Sequence, residues 1–152
     1  MTDELLFLQV SEIKEKNEAL TFLSQQLTQQ GYVTEGFTDA IIAREAVFPT
    51  GLQFEDYGVA IPHTDSDYVR ETKIAIMTLK EPVPFIQMAT ENQTVEVRVI
   101  IMLAIKDAHT QLDMLQRIIG FLQDPETVST LLSYSAEQKE DVLQLLSHFH
   151  II

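Results

Sequence analysis

Residues 95–105 read Val95-Glu96-Val97-Arg98-Val99-Ile100-Ile101-Met102-Leu103-Ala104-Ile105. The first five alternate apolar and polar, which marks a strand with one face in a core. From Val99 onward every side chain is apolar. A strand reads this way when both of its faces are covered, as in α/β sheets with helices packed on the two sides. This stretch therefore places the chain among layered α/β proteins, and its neighbours extend the pattern.

Upstream, Lys73–Leu79 (K-I-A-I-M-T-L) reads as a second strand, and Val59-Ala60-Ile61 as a shorter one. Residues 17–30 carry Ala19, Leu20, Leu23 and Leu27 at helical spacing, with Asn17 able to cap the start and Gly31 the end. A second helix is expected over 34–46, with Phe37, Ala40, Ile41 and Ile42 on one face and Pro49 and Gly51 beyond its end. Downstream, a helix starts at Ala108, carries Leu112, Leu115, Ile118, Ile119 and Leu122, and takes Asp107 as its cap. Asp124-Pro125 is a cap followed by a first-turn proline. Ser135-Ala136-Glu137-Gln138 resembles a capping box ahead of a last helix with Val142, Leu145 and Leu146. Strands and helices alternate, as in an α/β layered domain.

No internal repeat or Gly/Ser linker interrupts the 152 residues, so one domain over 1–152 is expected. No apolar run approaches the roughly 20 residues that span a bilayer. The acidic start, Met1-Thr2-Asp3-Glu4, lacks the basic residues of a signal peptide, which predicts a cytoplasmic protein. The absence of cysteine excludes disulfides and thiolate chemistry. Ten Lys and Arg against 23 Asp and Glu give a formal net charge of −13. Such a surface repels nucleic acid and anionic lipid and favours basic or neutral partners; solubility alone is the plainer account of it.

Ligand sites in open α/β sheets gather beyond the carboxyl ends of strands. His63 directly follows Val59-Ala60-Ile61-Pro62, and His109 follows the strand ending at Ile105. Pro62 fixes its own φ and holds Ile61 extended, so the His63 ring projects at a defined angle. A neutral imidazole is nucleophilic near neutral pH. His109, in the first turn of a helix, lies beside free N–H groups that suit an anion. Arg44 can hold phosphate oxygens through two parallel hydrogen bonds. A nucleophilic imidazole beside an anion cradle suits reversible phosphoryl transfer, which runs on positioning and charge stabilisation. Against this stand plainer readings: a hydrogen-bonded loop histidine, a histidine that only caps a helix, and an Arg44-Glu45 pair on a solvated face. Asp65 and Asp67 lack the glycine turn and further ligands of a calcium loop and read as solvated carboxylates. His148 and His150 read as tail residues. No Gly-rich phosphate loop supports a nucleotide site, and Ser133 and Ser135 lack the setting of a nucleophile elbow.

Three blocks together carry a resemblance. Arg44-Glu45 with Phe48-Pro49-Thr50-Gly51, then Gly58-Val59-Ala60-Ile61-Pro62-His63, then Ala108-His109 and its helix, resemble in order and separation the EIIA component of the bacterial sugar phosphotransferase system, fructose/mannitol class. The likeness covers nearly the whole chain. Ala43-Arg44-Glu45-Ala46 and Ile61-Pro62-His63 look most similar to galactitol-type EIIA proteins, which are stand-alone chains of about this size. The resemblance implies a mixed β-sheet flanked by helices on both faces. It implies that His63 accepts a phosphoryl group on Nε2 from the phosphocarrier protein HPr and passes it to a cysteine of the cognate EIIB. It gives His109 the role of stabilising the phosphate and Arg44 that of neutralising charge. EIIC, the membrane component, is an indirect partner, and no cofactor or metal is implied.

Glu55, Asp56, Asp65, Asp67 and Glu71 surround this block, with Arg70 the single base in 55–71. Acids close to His63 raise its pKa and repel phosphate; an acidic rim set back from it steers a basic donor. The rim is the expected geometry. Two alternatives stay open: a regulatory, nitrogen-type EIIA whose phosphohistidine is a signal, and a metal-binding module built on His63, His109 and nearby acids.

Overall fold

The computed structural model describes residues 3–151. Five strands form one sheet: β1 (Leu6–Val10), β2 (Gly51–Gln53), β3 (Gly58–Ala60), β4 (Lys73–Ile86) and β5 (Thr94–Ala104), in the order β1-β4-β5-β3-β2. β1 runs parallel to β4 and β3 parallel to β5, whereas β4–β5 and β2–β3 are antiparallel. The helices are α1 (Lys16–Gln29), α2 (Phe37–Val47), α3 (Ala108–Gln123), α4 (Pro125–Ser133) and α5 (Lys139–His148). This is the mixed sheet with helices on both faces that the resemblance implied. No helix among the described residues is long and apolar enough to cross a membrane.

Residues 95–105 behave as their pattern dictates. Val95 and Val97 are buried and Glu96 is exposed, and every residue from Val99 to Ala104 is buried. Ile100, Met102 and Ala104 join the core made with α1 and α2. Val99, Ile101 and Leu103 join the core made with α3, α4 and α5. At roughly 25 cal/mol per Å² of apolar surface, this two-sided burial is the main force holding the layers together.

Several boundaries differ from the sequence reading. α1 begins at Lys16 with Glu15 at its N-cap, so Asn17 lies inside the helix; Gly31, at φ 80°, is the left-handed residue that follows its end. α2 starts at Phe37, because Thr34 is tied to the Tyr68 carbonyl through its own N–H. β4 continues past Leu79 to Ile86, through Pro82 and Pro84. β1 pairs with β4 only as far as Leu79, so beyond it β4 has one partner, and a proline can face the open side. α5 starts at Lys139: Gln138 Oε1 does accept the Ser135 N–H at 2.9 Å, but Gln138 is itself the N-cap. Asp124 caps α4 and Pro125 opens it, as expected.

Gly58 allows β3 to lie against β5. A Cβ there would stand 2.3 Å from the Glu96 carbonyl oxygen, so a side chain would push the strands apart. That close approach carries the chain onward to residue 63.

Candidate active site

β3 and β5 run parallel, so both release the chain at the same end of the sheet. After Ala60 the backbone stays with β5 for a few more residues. The Leu103 N–H donates to the Pro62 carbonyl at 3.0 Å, and His63 forms a bridge with Leu103. On the other side the Ile61 N–H donates to the Thr50 carbonyl at 3.4 Å, which prolongs the β2–β3 ladder. The exit containing Pro62 is therefore held from two sides. Ile61 is buried, and His63 is half-buried.

His63 Nδ1 lies 2.8 Å from the Ile61 carbonyl oxygen. A carbonyl only accepts, so Nδ1 carries the proton and Nε2 keeps its lone pair. Burial pushes the imidazole pKa below its ordinary 6.5, the Ile61 carbonyl works against that, and the Arg44 charge lowers it further. The ring is thus neutral near pH 7, with one defined nucleophilic nitrogen. None of the neighbouring acids is among the groups that move it. Asp65 and Asp67 are both exposed; Asp67 stands outside the lining of the neighbouring cleft, whereas Asp65 belongs to it.

Arg44 stands in the last turn of α2, where a cation suits the helix C-terminus. It is exposed, and its guanidinium lies 5.0 Å from the centroid of the Phe48 ring. A cleft of about 310 Å³ is lined by Arg44, by Thr64 and Asp65 just after His63, and by Ala108, Gln111 and Leu112 of α3. The sequence neighbours of both histidines thus share one cleft with Arg44.

His109 is exposed in the first turn of α3. Part of the expected cradle of N–H groups beside it is already taken. Asp107 caps α3, accepting from the Thr110 N–H at 3.3 Å and from Thr110 Oγ1 at 2.9 Å. These hydrogen bonds hold the Asp107 carboxyl below its usual range, with smaller contributions from His109. The helix start thus already holds a carboxylate of its own, with the exposed His109 ring beside it. Among the described residues, no group of three or more His, Asp or Glu side chains is placed to hold a metal ion.

Two residues of this region take places that their local pattern does not announce outright. Leu112, part of the apolar pattern of this helix, is 61% exposed and lines the cleft. Its place three residues after His109, on the same helix face, was the available signal. Glu45, which the plainer reading put with Arg44 on a solvated face, is only 3% exposed. Its carboxylate accepts from the Thr50 N–H at 2.7 Å and from Thr50 Oγ1 at 2.8 Å. Burial raises its pKa, and the Thr50 bonds oppose the rise. The signal in the sequence was its spacing: Glu45 falls four residues after Ile41 and eight after Phe37, on the face of α2 that is buried.

A half-buried neutral histidine at a strand exit, beside a cleft lined by an arginine, is an arrangement suited to carrying a phosphoryl group. The family model for the phosphoenolpyruvate-dependent sugar phosphotransferase system, EIIA 2, matches residues 1–149, and the chain belongs to that family. It is 32% identical over 127 residues to the galactitol-specific EIIA component of Escherichia coli, covering 84% of each chain. Its fold matches that of mannitol enzyme IIA from Escherichia coli, solved in complex with phosphorylated mannitol enzyme IIB, with TM-score 0.77, 26% identity and 97% of each chain covered. It also matches the nitrogen regulatory protein IIA-Ntr from Neisseria meningitidis, with TM-score 0.77, 23% identity, and 95% and 94% of the two chains covered; at that identity the likeness is one of fold alone.

Proposed function

We propose that this chain is the phosphoryl carrier of a phosphotransferase system for galactitol or a related polyol. In this reading His63 takes the phosphoryl group from phospho-HPr and delivers it to a cysteine of the cognate EIIB. The observation that carries it is the Nδ1–H···O=C bond from His63 to Ile61, which leaves Nε2 as the free nucleophile.

The step balances without net proton transfer. The His63 Nε2 lone pair attacks phosphorus, and the donor's N–P bond breaks and returns its electron pair to the donor ring. His63 keeps its Nδ1 proton and becomes a phosphorylated imidazolium. Its bond to the Ile61 carbonyl is then charge-assisted and stronger, so the carbonyl stabilises the product of acceptance more than the resting ring. In delivery the EIIB thiolate attacks phosphorus, a P–S bond forms, and the electron pair returns to Nε2. Arg44 neutralises charge on the phosphoryl oxygens in both directions, and the His109 ring adds a donor. The acids around the site, Asp67 among them, favour a basic donor protein.

The polyol reading rests on the likeness to the galactitol-specific EIIA component. Incubation with enzyme I, HPr and phosphoenolpyruvate tests the carrier step, with acid-labile phosphate read by mass. Addition of galactitol-type EIIB tests delivery. No mass gain on the wild-type chain sinks the proposal. Gain with HPr but no delivery to any sugar-type EIIB would turn it toward the regulatory, nitrogen-type role.

A further inference from the structure

We infer that Glu45 is a positioning residue for His63, acting through Thr50 and Ile61; this rests on the reading of His63 as the phosphoryl acceptor. Glu45 does not itself line the cleft. It is connected to the ring by consecutive links. Its carboxylate holds both donors of Thr50, at 2.7 Å and 2.8 Å. The Thr50 carbonyl accepts the Ile61 N–H at 3.4 Å. The Ile61 carbonyl accepts from His63 Nδ1 at 2.8 Å. The same Ile61 peptide segment that is pinned by Thr50 therefore sets the tautomer and direction of the imidazole.

The local structure explains why such an anchor is needed. β2 has three residues and lies at the edge of the sheet, and Thr50 precedes its first residue. A strand that short does not fix its own end against β3. Burying a carboxylate is unfavourable unless its oxygens are bonded. Here both are, and both bonds run to one residue. An apolar side chain in place of Glu45 would leave the buried Thr50 N–H without that partner. Glu45 also adjoins Arg44 in the last turn of α2, so one clamp ties the helix carrying the cation to the strand exit carrying the histidine.

The test uses Glu45→Ala and Glu45→Gln in the full chain. The first readout is the His63 tautomer, from ¹⁵N–¹H correlation of the unphosphorylated protein; it needs no donor protein. The second is the rate of phosphoryl acceptance from phospho-HPr. In Glu45→Ala, His63 is expected to lose its exclusive Nδ1–H form and to accept phosphate more slowly, on the order of 10-fold. Glu45→Gln keeps an oxygen for the Thr50 N–H and offers an N–H to Thr50 Oγ1. It is expected to keep the wild-type tautomer and a rate within about 3-fold. If Glu45→Ala does not fold, Glu45→Asp, which draws the carboxylate back by one methylene, is expected to show the same tautomer change. A folded Ala or Asp variant with wild-type tautomer and rate overturns the inference. A changed tautomer in a chain whose wild type accepts no phosphate would leave the Glu45 relay standing and remove the carrier reading instead.

Discussion

β3 and β5 end side by side, yet the histidines beyond them sit in unlike surroundings. His63 is half-buried, its exit segment bonded to Thr50 on one side and Leu103 on the other, its Nδ1 tied to a carbonyl. His109 is exposed on the first turn of α3, beside a cap that satisfies the helix but does not bind its ring. The difference matches the two tasks. A covalent acceptor needs one nitrogen free, neutral and aimed, which a buried and bonded ring supplies. A group that only stabilises a phosphoryl oxygen needs reach, which an exposed ring supplies without prior fixing.

The largest expected effect separates the two histidines outright. His63→Ala is expected to abolish acid-labile phosphorylation, read by intact mass; undiminished phosphate on that variant would place the acceptor elsewhere. Next comes Arg44→Ala, expected to slow transfer by about 100-fold, the equivalent of two charge-assisted hydrogen bonds. Rapid-quench kinetics would show it, and a rate near wild type would mean that Arg44 stays on the Phe48 ring during transfer. His109→Ala is expected to accept phosphate normally and to deliver it to EIIB about 10-fold more slowly. Equal loss in both half-reactions would erase the contrast between the two rings.

A pH series sharpens the same contrast. Burial holds the His63 pKa below 6.5, so the ring stays neutral as pH falls past that value, and acceptance declines only at lower pH. For stability the sign is the reverse of a stabilising ion pair. Between the folded pKa and 6.5 the unfolded chain binds the proton and the folded chain does not, so His63 makes the protein less stable as pH falls through that window. ¹H NMR titration of the ring against chemical denaturation at matched pH checks both. The smallest effect is expected from Asp107→Ala. Loss of this cap should lower Tm by roughly 2–4 °C, seen by calorimetry, and leave phosphoryl acceptance at His63 unchanged. A large fall in acceptance would mean that the start of α3 takes part in the first transfer.

The legible and illegible parts of this chain divide along a physical line. β5 was readable because burial on two faces leaves an unbroken apolar run, and α3 and α4 because their caps, Asp107 and Asp124, are local signals. β2 left no comparable trace, whereas β1 carries an apolar run, Leu5-Leu6-Phe7-Leu8, without the sustained alternation or caps of the other elements. β2 is three residues long, and β1 is five residues broken by Gln9 at φ 55°, whose N–H donates to Thr78 Oγ1. The later half of β4 was hidden by Pro82 and Pro84, whose tolerance depends on which neighbour strand has already ended.

The sequence by itself determined the layered α/β architecture, the exit of His63 through Pro62, and the three blocks that mark the family. Those are properties of periodicity and short-range backbone restriction, and both are written in adjacent residues. Only the tertiary structure decided which nitrogen of His63 is free, that Glu45 is buried against Thr50, and that Leu112 faces the cleft. Helical spacing hints at the faces of Glu45 and Leu112, but each outcome depends on contacts between segments distant along the chain or on how much water the folded layers exclude.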